Sequence, residues 1–191
     1  MRYKLVMFEV ILILLFLGVD FYVGNLWFSV FSLGLLLILV LPGLYSFVFG
    51  APFLISTKKK VTRIIKFAGD CRGRIVVEMG CGDGRIIRQI ARRGVKRAEG
   101  YEFSFPTYLL AKFLSFIEGG KARILFKNFW KVDYSEVDIL ICFLNENSMR
   151  RLKVEIWSRM KRGAKLISNE FELPGVSADE EEARVRVYIK K

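Results

Sequence analysis

The stretch Glu78-Met79-Gly80-Cys81-Gly82-Asp83-Gly84-Arg85 holds the most specific chemistry in the chain. Its three glycines at alternate positions allow positive φ and let a ligand approach the backbone closely. The residues before it, 74–79 (Arg-Ile-Val-Val-Glu-Met), read as a buried strand. The residues after it, 83–93, read as a helix whose apolar face is Ile86, Ile87, Ile90 and Ala91, with Arg85, Arg88, Arg92 and Arg93 mostly outside that face and Gly94 as its stop. A glycine-rich bend between strand and helix lies outside the carboxyl end of a strand, where open α/β sheets bind ligands. A second carboxylate, Glu102, ends the next predicted strand in Gly100-Tyr101-Glu102. There it can accept both hydroxyls of a ribose. The bland alternative is a glycine-rich turn that binds nothing.

Two ligand classes fit such a bend. A dinucleotide fingerprint would be GxGxxG, and Arg85 stands where its third glycine should be. An acidic residue followed by GxGxG is instead the pattern of class I S-adenosylmethionine-dependent methyltransferases, and this reading is favoured. The chain has no histidine, which excludes Ser-His-Asp hydrolysis, HExxH metalloproteases and His-ligated metals. No metal is expected. Its three cysteines, Cys71, Cys81 and Cys142, read as small buried residues, too few for a disulfide scaffold.

The elements that must position these residues alternate along the chain. Strands are predicted at about 74–79, 97–102, 122–127, 137–143, 164–168 and 184–190, and helices at 59–68, 83–93, 105–117 and 147–161. In the last helix Met149, Leu152, Ile156 and Met160 recur at helical spacing, as a core stripe does. Alternating β and α elements argue for a mostly parallel sheet with helices on both faces. The run Asp179-Glu180-Glu181-Glu182 reads as a solvated loop.

Charge divides the 191 residues unevenly. With 31 Lys+Arg against 19 Asp+Glu the formal net charge is +12, yet residues 5–57 contain no Lys or Arg and only Glu9 and Asp20 as acids. One membrane span needs roughly 20 apolar residues. The N-terminal stretch 1–50 is therefore expected to be a two-helix transmembrane hairpin, with spans at about 5–23 and 26–49 and a turn at Gly24-Asn25. Glu9 reads as an interfacial carboxylate, with a buried functional role as the alternative. Arg2, Lys4 and the cluster Lys58–Lys60 flank the apolar stretch, so the positive-inside rule predicts a multi-pass membrane protein with both termini and the domain 51–191 cytoplasmic. The same cluster would suit the anionic head groups of a lipid bilayer. Nucleic acid, the other partner of a basic surface, has no supporting motif.

From about Gly50 to Gly175 the chain resembles the small membrane-anchored class I methyltransferases related to the ATP synthase c-subunit and adenine nucleotide translocase lysine methyltransferases. The likeness is carried by Gly50-Ala51-Pro52-Phe53, by Ser56-Thr57-Lys58-Lys59-Lys60-Val61, by the glycine loop with Ile86, by Gly100-Tyr101-Glu102, by Asn128-Phe129-Trp130-Lys131-Val132-Asp133, and by Gly163–Asn169 and Phe171–Gly175. The family usually has Pro where Ser56 stands and Asp where Asn128 stands. An Asn side-chain oxygen can still accept from an adenine amino group.

The resemblance implies a Rossmann-like class I fold, S-adenosylmethionine as cofactor, and N-methylation of lysine in a protein, expected here to be a membrane protein. Methylation of a lipid or hydrophobic small molecule, or cofactor binding without catalysis, are the alternatives. The cofactor residues implied are Glu78, Gly80, Cys81, Gly82, Gly84, Glu102, Asn128 and Phe129. Candidates for the lysine pocket are Thr57, Phe129, Trp130 and Phe143. The turn after the fourth strand, Cys142-Phe143-Leu144-Asn145-Glu146-Asn147, lacks the Pro-Pro-Tyr-like signature of adenine and glutamine methyltransferases.

Overall fold

In the computed structural model the described residues are 15, 18–19, 22–49 and 57–191, with the side chains of 38–49 excepted. They fall into two compact units, Met1–Tyr45 and Ser46–Lys191. The first unit is described through helix α1 (Leu26–Phe49). Asn25 caps it, its side-chain oxygen accepting from the Trp27 backbone N–H at 2.9 Å.

The expected membrane anchor does not stand. Among the described residues no helix is long and apolar enough to cross a membrane. The reading as a multi-pass membrane protein with both termini cytoplasmic is corrected accordingly. Most of the first proposed span, with Glu9 and Asp20, lies outside the described residues, as do Gly50–Phe53 and Ser56.

The second unit opens with α2 (Lys58–Ala68), whose N-cap is Thr57 and whose stop is Gly69 at φ 67°. Then follow β1 (Ile75–Met79), α3 (Arg85–Ala91), β2 (Arg97–Glu102), α4 (Phe105–Ile117), β3 (Arg123–Phe126), β4 (Ile139–Cys142), α5 (Glu146–Glu155), β5 (Lys165–Asn169), β6 (Glu180–Glu182) and β7 (Val185–Ile189). A short 3-10 turn, Phe129–Lys131, links β3 to β4, and another, Trp157–Arg159, extends α5.

The seven strands form one sheet in the order β3-β2-β1-β4-β5-β7-β6. The first five are parallel, and β7 is antiparallel to both its neighbours. Side-chain alternation splits the core between the two faces. Val76, Ala98, Ile139 and Ile141 pack with Val61 and Ile64 of α2 and Ile86, Ile87 and Ile90 of α3. Ile75, Val77, Met79, Leu140 and Cys142 pack with Met149 and Leu152 of α5. All three cysteines are buried.

The acidic run predicted as a solvated loop is instead partly strand. Glu180–Glu182 pairs with β7, with Glu182 opposite Val185. Its carboxylates meet cations that a linear reading does not bring near. Glu182 accepts from Arg63 at 2.6 Å, and Glu181 lies 2.9 Å from Arg186. Lys60, counted in the cationic cluster, is paired with Glu170.

Candidate functional site

Strand order decides which residues meet. With β1 central and β2 and β4 on either side, the loop after β1, the end of β2 and the turns after β3 and β4 all open at one edge of the sheet. The loop is held to β2 by two bonds. The Cys81 N–H donates to the Tyr101 carbonyl at 3.0 Å, and the Gly82 N–H donates to a Glu102 carboxylate oxygen at 3.0 Å. Gly80, Gly82 and Gly84 have φ of 64°, 57° and 73°, conformations that a side chain would strain. Gly100 answers a different need. A Cβ there would lie 2.8 Å from Cys81 Sγ, so only glycine lets β2 pass so close beneath the loop.

Glu102 is buried and fixed in orientation. One carboxylate oxygen accepts from Gly82, and the other accepts from the Phe103 and Ser104 N–H groups, each at 2.9 Å. Burial raises its pKa, and the N–H groups of Ser104, Gly82 and Phe103 oppose that rise. Glu78 sits deeper. Its carboxylate accepts from the Ile87 N–H at 3.1 Å inside the first turn of α3, and burial pushes its pKa up to about 8. Glu78 thus braces the loop against the helix. Asp83 behaves oppositely: burial works against its ionisation, but bonds from the Arg85 side chain and backbone outweigh it and hold the pKa low. The Arg85–Asp83 ion pair is 2.6 Å long.

Beyond β3, the Lys127 N–H donates to the Glu102 carbonyl at 3.2 Å, tying the next turn to the same edge. Asn128 caps that turn, its side-chain oxygen accepting from the Trp130 N–H at 3.0 Å. One lone pair is therefore used locally and one is left for a ligand amino group. Phe129 is turned toward the loop, since a Cβ on Gly80 would stand 4.0 Å from its ring. Gly80, the fixed carboxylate at 102 and the ring at 129 thus lie at the same edge of the sheet, with no side chain at Gly80 between the loop and the ring.

The pocket candidates are not all brought together. Trp130 is half-buried and its face is covered by the Arg151 guanidinium, 4.3 Å from the ring centre, so it belongs to the contact with α5. Phe143 is half-buried immediately after β4, at the ligand edge. Thr57 is exposed, and its hydroxyl accepts from the Lys60 N–H at 3.4 Å as a helix cap. A concavity of about 330 Å³ lined by Trp130, Val132, Tyr134, Glu155, Ile156 and Arg159 shares no residue with the glycine loop.

Sequence reasoning missed Arg88. The apolar pattern puts it mostly outside the buried face, yet its side chain is only 10% exposed. It bonds the Asp83 carbonyl within the loop and reaches Glu118 at 3.3 Å. The available signal was its position one helical turn beyond Gly84, because helix side chains lean toward the N-terminus.

Comparison with known proteins agrees with this geometry. The model of the ANTKMT methyltransferase domain matches residues 78–180, which run from Glu78 in β1 to Glu180, the first residue of β6. A protein-lysine N-methyltransferase of Saccharolobus islandicus is 35% identical over 135 residues, 68% of this chain and 83% of its own length. The human ATP synthase c-subunit lysine N-methyltransferase is 28% identical over 67% of this chain, and the mouse adenine nucleotide translocase lysine N-methyltransferase 26% identical over 64%. The chain spans 55% and 54% of the length of those two relatives. Among solved structures, an RNA methyltransferase from Salinibacter ruber in complex with S-adenosyl-L-homocysteine superposes with a TM-score of 0.65 over 72% of this chain and 92% of its own, at 20% identity, a likeness of fold. The chain belongs to the ANTKMT methyltransferase domain family, and it is a class I methyltransferase that uses S-adenosylmethionine.

Proposed function

We propose that the chain is a protein-lysine N-methyltransferase, with Glu78, Gly80, Cys81, Gly82, Gly84, Glu102, Asn128 and Phe129 of the domain 51–191 forming the cofactor site. The observation that carries the site is Glu102, whose two oxygens are aimed by three backbone N–H groups at 2.9–3.0 Å. A carboxylate fixed that way accepts the two hydroxyls of a ribose without having to be ordered on binding. The bend at 80–84 takes the amino-acid end of the ligand, and the Phe129 ring and the free lone pair of Asn128 flank the adenine. For lysine as the acceptor the support is the naming of the relatives, one of which is 35% identical.

Bound S-adenosylmethionine supplies a methyl group on a positively charged sulfur. The chain's own contribution is to hold the acceptor nitrogen in line with that methyl and to exclude water. A lysine amine with an ordinary pKa of about 10.4 must lose its proton before it attacks, and desolvation lowers that pKa. The half-buried ring of Phe143 at the ligand edge supports this route, which needs no histidine. Phe143, half-buried directly after β4 at the ligand edge, is the residue we assign to the lysine channel.

The test is to incubate the purified chain with isotopically labelled S-adenosylmethionine and whole-cell protein, then to hydrolyse the product and separate its amino acids. Label in mono-, di- or trimethyl-lysine is expected. Label found only in extractable lipid or in RNA would overturn the reading.

A further inference from the structure

Helix α4 has its amphipathicity inverted. The positions it buries are small, Ala111 and Ser115. Its large apolar side chains face outward: Phe105, Leu109 and Leu110 are each nearly half exposed, and Phe113, Phe116 and Ile117 are 61%, 77% and 58% exposed. At 100° per residue these six fall within an arc of about 140°, a continuous stripe along the helix. Phe103 and Phe126 lengthen it at the ligand edge. Both are exposed, their rings stack at 5.6 Å, and Phe126 also meets Phe105 edge-on. An apolar surface of this kind, rimmed by polar groups, marks a contact that the isolated fold does not satisfy.

The rim shows what fits. Lys112, Lys121 and Lys127 border the stripe and are exposed. Among the described residues none of the three has a carboxylate partner, while Glu118, the acid nearest the helix end, is bonded by Arg88 and Arg92. The stripe also lies beside β3, the outermost strand of the sheet. A second copy seated on this edge would bring Lys121 and Lys127 against their own counterparts, a like-charge arrangement that edge strands use to discourage pairing. Lys112 is held only by Tyr108, donating to its hydroxyl at 3.0 Å. An aromatic and leucine face bordered by cations that no carboxylate neutralises instead has the composition of a helix that lies in the plane of a lipid interface.

We propose that the α4 stripe docks on an anionic phospholipid surface, with Phe113, Phe116 and Ile117 in the acyl boundary and Lys112, Lys121 and Lys127 among the head groups. The contact lies on a bilayer and does not cross it. Because Phe103 directly follows Glu102, the docked face adjoins the ribose end of the cofactor site, so a bound surface would stand next to the cleft.

The test labels one position in the full chain. Phe116→Cys, carrying an environment-sensitive fluorophore, reports on α4 alone, because Cys71, Cys81 and Cys142 are buried. Retained binding of S-adenosyl-L-homocysteine checks that the labelled chain is folded. With phosphatidylglycerol vesicles the emission should shift to the blue and be quenched by lipids brominated on the acyl chain, and phosphatidylcholine vesicles should give neither change. Each cation near a charged surface is worth about fivefold in binding, so K112Q, K121Q and K127Q together should raise the lipid needed about a hundredfold. A probe that stays water-exposed with phosphatidylglycerol overturns the proposal. So does a blue shift that grows with protein concentration without vesicles, which would assign the stripe to a second copy.

Discussion

At the scale of single residues, two buried carboxylates beside one loop do different work. Glu78 braces, and its raised pKa has a consequence for stability. A carboxyl bound to its proton in the folded state up to about pH 8, and free of it in the unfolded state above about pH 4.5, makes the folded state the stronger proton binder in that interval. Its contribution is complete below the unfolded pKa and is lost as pH rises through the folded one. Thermal melts of the ligand-free protein should therefore show wild type losing stability relative to Glu78→Gln between about pH 5 and 8, since the amide still accepts from Ile87 but does not titrate. Parallel pH profiles for the two proteins would contradict this. Arg88 acts through the loop it clamps. Arg88→Gln should lower stability by about 1–3 kcal/mol, because the Asp83 carbonyl and Glu118 lose a buried charged donor, and it should weaken binding of S-adenosyl-L-homocysteine as well. Unchanged affinity in a folded variant would show that the clamp does not reach the site.

At the scale of elements, the close passage of β2 beneath the glycine loop and the β6–β7 hairpin make separate predictions. Gly100→Ala should destabilise by about 1–3 kcal/mol through overpacking, since its Cβ would meet the Cys81 side chain at 2.8 Å; a melting temperature equal to wild type would contradict it. The hairpin turns through Ala183 and Arg184 at φ 50° and 65°, which is type I′ geometry without the Asn or Gly that favours it. Ala183→Asn should raise the melting temperature by relieving about 0.5–1 kcal/mol of strain. These elements also show what was legible in the sequence. The parallel strands β1, β2, β4 and β5 and the helices between them follow from short apolar runs alternating with helical spacing, and the loop from its glycines. Edge strand β6 was not legible. Its three glutamates read as a loop by local pattern, and they pair only because Arg63, Lys66 and Arg186, distant in sequence or on the neighbouring strand, supply the opposite charge. Helix α4 was legible as a helix, but its inverted amphipathicity was hidden, because an apolar stripe at helical spacing reads as core until the sheet shows which side is inward. Of the residues proposed for the cofactor, the place of Glu102 at a strand end was legible. The inward fold of Arg88 was not, because an arginine outside an apolar stripe is ordinarily solvated.

At the scale of the whole molecule, the strand order brings the loop after β1, Glu102 at the end of β2 and the Asn128–Phe129 turn after β3 to one edge. The net charge of +12 makes electrostatic attraction to acidic partners a property of the entire chain, screened over about 10 Å at 0.1 M salt. Capture of anionic vesicles should accordingly decline as salt rises, and binding that is indifferent to salt would leave the apolar stripe to act alone. The central claim is that the buried carboxylate of Glu102 holds the ribose of S-adenosylmethionine, and calorimetric titration with S-adenosyl-L-homocysteine tests it most directly. Wild type should bind, and Glu102→Gln should bind about 10- to 100-fold more weakly, in keeping with the loss of hydrogen bonds to a charged group. Equal affinity in the two folded proteins would contradict it.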